Sequence, residues 1–320
     1  LAFLVIWRLW VVRHHLRDVF LKAIRSAHPA DDRGEMLSYR TAVVGLLLSL
    51  CYAMFWLNQI GMDPVTIAMF LFAGGIIYLG MARISAEAGV PAAQSSVSPQ
   101  AFVMDLRGTD VMSRANLTGI LLSYSLIDYM RGLFTPSLAH AAKWGDLVRG
   151  NRRLLLLWVG IGVLAGLSAS VLFTIHLGHN YGAYNFSGLF FGGNPKQVFS
   201  STVGLMRTPV APDPMRLLFY GIGAVVMVLL TFLRNRVGWW SLHPIGFVLS
   251  AADNNASLVM PVFIAWALKM ILMRIGGVTL YRRAKPLFLG LLVGYTFGVV
   301  WSFVVDAIWF PGHGHSVSGW

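Results

Sequence analysis

The sequence predicts an all-α protein, a polytopic transmembrane helix bundle containing broken or re-entrant helices. Three observations lead there. Of 320 residues, 57% are hydrophobic and 12% charged, where a soluble domain carries about 25% charge. Apolar runs long enough to cross a hydrocarbon layer recur along the chain. Lys and Arg gather in alternate connections, 13–40, 83–153, 234–240 and 269–286. The connections 59–64, 178–214 and 311–320 are nearly bare, apart from Lys196, Arg207 and Arg216. That alternation is the positive-inside pattern. It predicts a multi-pass plasma-membrane protein with cytoplasmic basic loops and an external C-terminus.

The elements follow in order. Residues 1–12 read as the end of a span. The segment RHHLRDVFLKAI after it reads as a surface helix. A span is expected over 41–58, then a tight turn in which Asp63 caps a helix and Pro64 occupies its first position. The span 64–83 carries Gly74, Gly75 and Gly80, which allow close helix approach. In the basic region, 98–106 is a short helix capped by Ser98 with Pro99 behind it. The stretch 115–134 holds only about thirteen apolar residues, which suits a re-entrant segment better than a span. Spans are expected at 154–176, 215–233, 257–275 and 286–309, with an aromatic, Gly- and Asn-rich loop near 180–213. The chain reads as a single transmembrane domain, 1–320. Because it starts at Leu1 inside an apolar run, it reads as the C-terminal portion of a longer protein, or as a processed chain.

The stretch from Arg234 to Tyr281 is the organising one. A short apolar segment, 241–252, is joined to the span 257–275 by the polar knot Asp253-Asn254-Asn255, with basic residues at both ends. Ten to twelve helical residues reach only about 18 Å, against roughly 30 Å of hydrocarbon. A helix broken at depth is tolerated where protein or a water-filled cavity surrounds it, which is how transporters build solute sites. Both interrupted regions are entered and left from the basic side.

Ionisable groups at membrane depth usually face a cavity or a partner. Those available are Glu87, Asp105, Asp128, Arg131, His140, His243, Asp253 and Asp306. The expected substrate or ion path comprises Glu87, Asp128, His243, Asp253, Asn254 and Asn255. Each has a plainer reading. Asp253 or Asn255 would cap the following helix, His243 would sit at an interface beside Trp239 and Trp240, Glu87 would pair with an arginine, and Asp128 would pair with Arg131.

Other classes fall away. The net charge of +12 follows membrane topology and does not call for nucleic acid. The single cysteine, Cys51, permits no internal disulfide and no cysteine metal site. His176 and His179 lie at i, i+3 but lack further ligands, so they are weak metal candidates. No HExxH, GxSxG or phosphate loop is present, and neither an enzyme nor a cofactor is expected.

The segments WWSLHPIGFVLS and MPVFIAWALKMILMRIGGVTLYRRAKPLFLGLLVGY, with ARISAEAGVP and TPSLAHAAK, resemble an uncharacterised group of large bacterial membrane proteins. That group is similar to the C-terminal half of the oligopeptide transporter superfamily. The resemblance implies a bacterial inner-membrane protein that moves a small organic solute of the peptide or metal-chelate class, with carboxylates available for proton coupling. Its partners would be the lipid bilayer, the solute, and an N-terminal half or other membrane subunits. The alternative is a structural or accessory subunit of a larger membrane assembly, with the aromatic loop and interfacial segments as docking surfaces.

Overall fold

The computed structural model describes residues 1–25, 28–32, 34–89, 95, 97–125, 127, 134–147, 152–185, 193–250 and 253–310; for 125, 144, 146, 147, 184, 194, 195 and 253–258 it describes the backbone alone. Among the described residues there is no strand, and the protein is an all-α bundle. The helices are α1 (Ala2–Val11), α2 (Arg13–Ile24), α3 (Tyr39–Gln59), α4 (Pro64–Ala88), α5 (Pro99–Arg107), α6 (Arg114–Leu122), α7 (Phe134–Leu147), α8 (Arg152–Leu177), α9 (Asn194–Arg207), α10 (Pro214–Arg236), α11 (Pro244–Ser250) and α12 (Asp253–Trp309). Five segments are long and apolar enough to cross a membrane: α3, α4, α8 with its continuation to Gly182, α10, and Val259–Trp309 of α12. The chain is a multi-pass membrane protein by this measure. It divides into two compact units, Leu1–Asn255 and Ala256–Trp320.

In the first unit α4 is the axis. Asp63 caps it, accepting from the Thr66 amide, and Pro64 fills the first helical position where its missing N–H is no loss. α4 is also the best-buried of the spanning helices. One apolar core surrounds its first turns, built from Leu57, Met62, Ile67 and Phe70 with Val103, Leu117 and Ile120. A second core surrounds its last turns, where Ile77, Met81 and Ile84 meet Leu4, Met227, Ile245 and Val248. The opposite case is α3 and α8, apolar on every face. Leu48 and Trp158 are 66% and 61% exposed within the chain, as suits helices immersed in lipid.

Helices α5 and α6 form the two arms of a short hairpin. Nine residues each, they reach only about 14 Å apiece. Gln100, fully buried at the start of α5, donates to the Ser123 hydroxyl at 3.0 Å and the Ile127 carbonyl at 2.9 Å, tying the arms at their base. The tip of the hairpin docks on two connections that the charge pattern assigned to the other side. Thr109 donates its amide to the Val210 carbonyl at 2.8 Å, and its hydroxyl accepts from the Val210 amide at 2.8 Å. Asn116 accepts from the Asp63 amide at 2.8 Å. Arg107 therefore sits at the end of α4 that is poor in basic residues, although it belongs to the basic 83–153 region. Asp63 neutralises it there.

α1 is ten residues, shorter than the five spanning segments. In the second unit α12 is longer than any single span. Fifty-seven residues extend about 85 Å, nearly three hydrocarbon thicknesses. Its helical geometry fails at one residue, Gly277, with φ 58° and ψ −156°. The break falls between the spans expected at 257–275 and 286–309. Lys269 and Lys285, from either side of it, approach the Tyr281 ring at 5.7 and 5.2 Å.

Candidate functional site

α4 and α10 each present one stripe of small and aromatic residues at mid-length. On α4 the stripe is Phe72, Ala73, Ile76 and Ile77; on α10 it is Phe219, Tyr220, Gly223, Ala224 and Met227. Within the first unit these stripes wall a cavity of about 420 Å³. α5 adds Phe102 to the lining, α11 adds Phe247, Val248 and Ser250, and α1 adds Phe3. Three helices too short to cross a membrane, α1, α5 and α11, thus line one space. On α4 the lining begins about 12 Å from the first residue and ends about 20 Å from it, which is mid-membrane depth for a spanning helix. No lining side chain among the described residues carries a charge.

The polar element beside this cavity joins α5 to α10. Tyr220 lines the cavity and donates its hydroxyl to Asp105 Oδ2 at 2.6 Å, while Arg216 donates to Asp105 Oδ1 at 2.7 Å. The Asp105 side chain is 16% exposed and that of Arg216 65%. Arg216 also faces Asp213 at 3.7 Å. Asp105 stands out in sequence as an ionisable residue in an apolar region. Tyr220 carries no such mark, because its role depends on a partner 115 positions away.

A second polar knot locks the hairpin tip. Arg107 donates to both oxygens of Asp63, at 2.7 and 2.6 Å, and also to the Thr66 hydroxyl. Thr66 donates to Asp63 Oδ1 at 2.7 Å, and the Asn116 amide donates to the same oxygen. Burial pushes the Asp63 pKa up. The hydrogen bonds from Thr66, Arg107 and Asn116 outweigh it and hold the carboxyl well below the usual carboxylate range.

The residues expected from sequence fall as follows. Glu87 is exposed and pairs with Arg83 at 2.8 Å, one turn away on α4. His243 caps α11: its Nδ1 accepts from the Ile245 amide at 3.1 Å. Neither lines the cavity, yet they lie in one electrostatic neighbourhood with Arg83 and Arg234. Burial lowers the His243 pKa first, then Arg234 and Arg83; Glu87 acts the other way, and the net direction is down. Asp128 lies outside the described residues, as do the side chains of Asp253, Asn254 and Asn255; the backbone of the last three forms the start of α12. His176 takes a hydrogen bond from Asn180 at 3.0 Å. Among the described residues no three of His, Cys, Asp or Glu are grouped as metal ligands.

A family model described as a family of unknown function, DUF6785, matches residues 1–316. The chain belongs to the DUF6785 family. No curated protein and no solved structure matches it.

Proposed function

We propose that this protein is a secondary-transporter-like membrane protein that moves a small organic solute through the cavity between α4 and α10. The observation that carries the reading is a mid-depth cavity walled jointly by two spanning helices and three helices too short to span. Solute sites at the bilayer midplane lined by discontinuous helices are the common plan of secondary transporters. The volume lies within the range of sites for small organic ligands. The resemblance to the oligopeptide transporter superfamily points to the same class of activity. In this reading the basic loops face the cytoplasm of a bacterial inner membrane. The Asp63–Arg107 knot holds the hairpin tip against the outer connections, and solute passage requires α5 and α11 to move relative to α4 and α10.

The test uses Gly223. A Cβ placed there meets nothing within 4 Å, and the residue lines the cavity. Gly223→Leu should fill the space while leaving the helix intact. Proteoliposomes holding the full chain, given a pH gradient and a panel of labelled peptides, amino acids and amines, should accumulate at least one of them. That uptake should fall at least tenfold in the Gly223→Leu protein. Equal uptake in both proteins would remove the cavity from the pathway.

A further inference from the structure

We infer that the solute of this cavity is a carboxylate-free hydrophobic amine: an aromatic or aliphatic body with one cationic, hydrogen-bond-donating end. The inference rests on the transport reading above and names its substrate class, which differs from the peptides and chelates of the resembled superfamily.

The argument starts from the one polar group that connects the cavity wall to a charge. Tyr220 has a single hydroxyl proton, and that proton is committed to Asp105 Oδ2 at 2.6 Å. Toward a solute the phenol oxygen then offers lone pairs alone, so it accepts and does not donate. Donation to a carboxylate makes that oxygen a stronger acceptor, because hydrogen bonds in series polarise one another. The remaining wall is aliphatic and aromatic, with Phe72, Phe102, Phe219 and Phe247 contributing rings, and the hydroxyls of its two serines, Ser95 and Ser250, donate to backbone carbonyls. Aromatic faces attract cations and repel anions. An ammonium group is favoured over a carboxylate by such a wall and by the accepting Tyr220 oxygen, behind which Asp105 is already paired with Arg216.

A carboxylate is not satisfied there. No cationic side chain lines the cavity among the described residues. The guanidinium of Arg216, next to this wall through Asp105, is bound to Asp105, faces Asp213 and is not part of the lining. A zwitterionic amino acid or peptide would lose the hydration of its carboxylate without replacement, which is costly in a largely apolar site.

Three matched probes test this: 2-phenylethylamine, phenylalanine, which adds a carboxylate to it, and 3-phenylpropionate, which replaces the amine with one. Saturation binding of labelled 2-phenylethylamine to the purified full chain should be abolished by Gly223→Leu. It should weaken about tenfold in Tyr220→Phe, which removes the accepting oxygen. Phenylalanine and 3-phenylpropionate should each compete at least tenfold less well than unlabelled amine on the unaltered protein, a comparison that needs no variant to fold. Amine binding that is absent or survives Gly223→Leu overturns the inference. So does phenylalanine or phenylpropionate competing as well as the amine. The transport reading fails separately, when uptake of every solute is indifferent to Gly223→Leu. Carboxylated solutes taken up in a Gly223-sensitive way would sink the amine class and leave that reading standing.

Discussion

One carboxylate, Asp63, caps α4, holds Arg107 and fixes Asn116. Removing it leaves a largely enclosed guanidinium without a counter-charge, so Asp63→Ala should lower unfolding stability by about 3 kcal/mol. Adding Arg107→Met to that variant should restore part of the loss, since the orphaned charge goes with it. Denaturation of the four proteins in one detergent measures the cycle, and simple additivity would show that the pair does not couple. The sign of the pH dependence follows from the depressed carboxyl. Its contribution is complete above the ordinary carboxylate pKa of about 3.9 and is lost only as pH falls below that toward the folded value. Between pH 5 and 8 Asp63 should therefore add no slope. His243 behaves differently. Its folded pKa is lowered, so its contribution is complete above about 6.5 and declines as pH falls through that value toward the lowered one. The proton would occupy the Nδ1 that receives the Ile245 amide, releasing the cap of α11. Amide exchange across Pro244–Ser250, corrected for the intrinsic rate, should accelerate between pH 7 and 5, and His243→Asn should flatten that change. Protection unaltered by pH in the unmodified protein would show that the cap does not titrate.

Elements differ in how legible they are from sequence. The ends of α4 and α5 could be read directly, because Asp63-Pro64 and Ser98-Pro99 each place a capping oxygen before a proline that suits the first turn. Helices α3, α4, α8 and α10 follow apolar runs in the sequence, whereas the runs at 257–275 and 286–309 lie in the single long helix α12. The docking of the hairpin tip was not legible. Arg107 finds Asp63 across 44 positions, and a charge tally by loop cannot see that α5 brings its arginine to the first turn of α4. Nor does local sequence reveal that Tyr220 and Phe102 share a wall. At this scale Gly108 is the sensitive point. It has φ +77°, and a Cβ there would come within 2.6 Å of the Pro212 ring carbon and 2.5 Å of Asp110 Oδ1. Gly108→Ala should cost about 1–3 kcal/mol and loosen the tip, seen as a lower unfolding midpoint. Gly277 makes the parallel case in α12, where φ 58° with ψ −156° is glycine-only backbone.

For the molecule as a whole, the central claim is that the space between α4 and α10 is a solute path reached from both faces of the membrane in turn. Cysteine accessibility tests it without knowledge of the solute. Cys51, exposed on α3, is first replaced by serine to give a silent background. Ala224→Cys then places one thiol on the cavity wall, mid-way along α10. Membrane-impermeant thiol reagents are applied to right-side-out and to inverted vesicles. The account predicts labelling from either side, with Gly223→Leu suppressing both. Labelling from neither side, or from one alone under every gradient imposed, would contradict it.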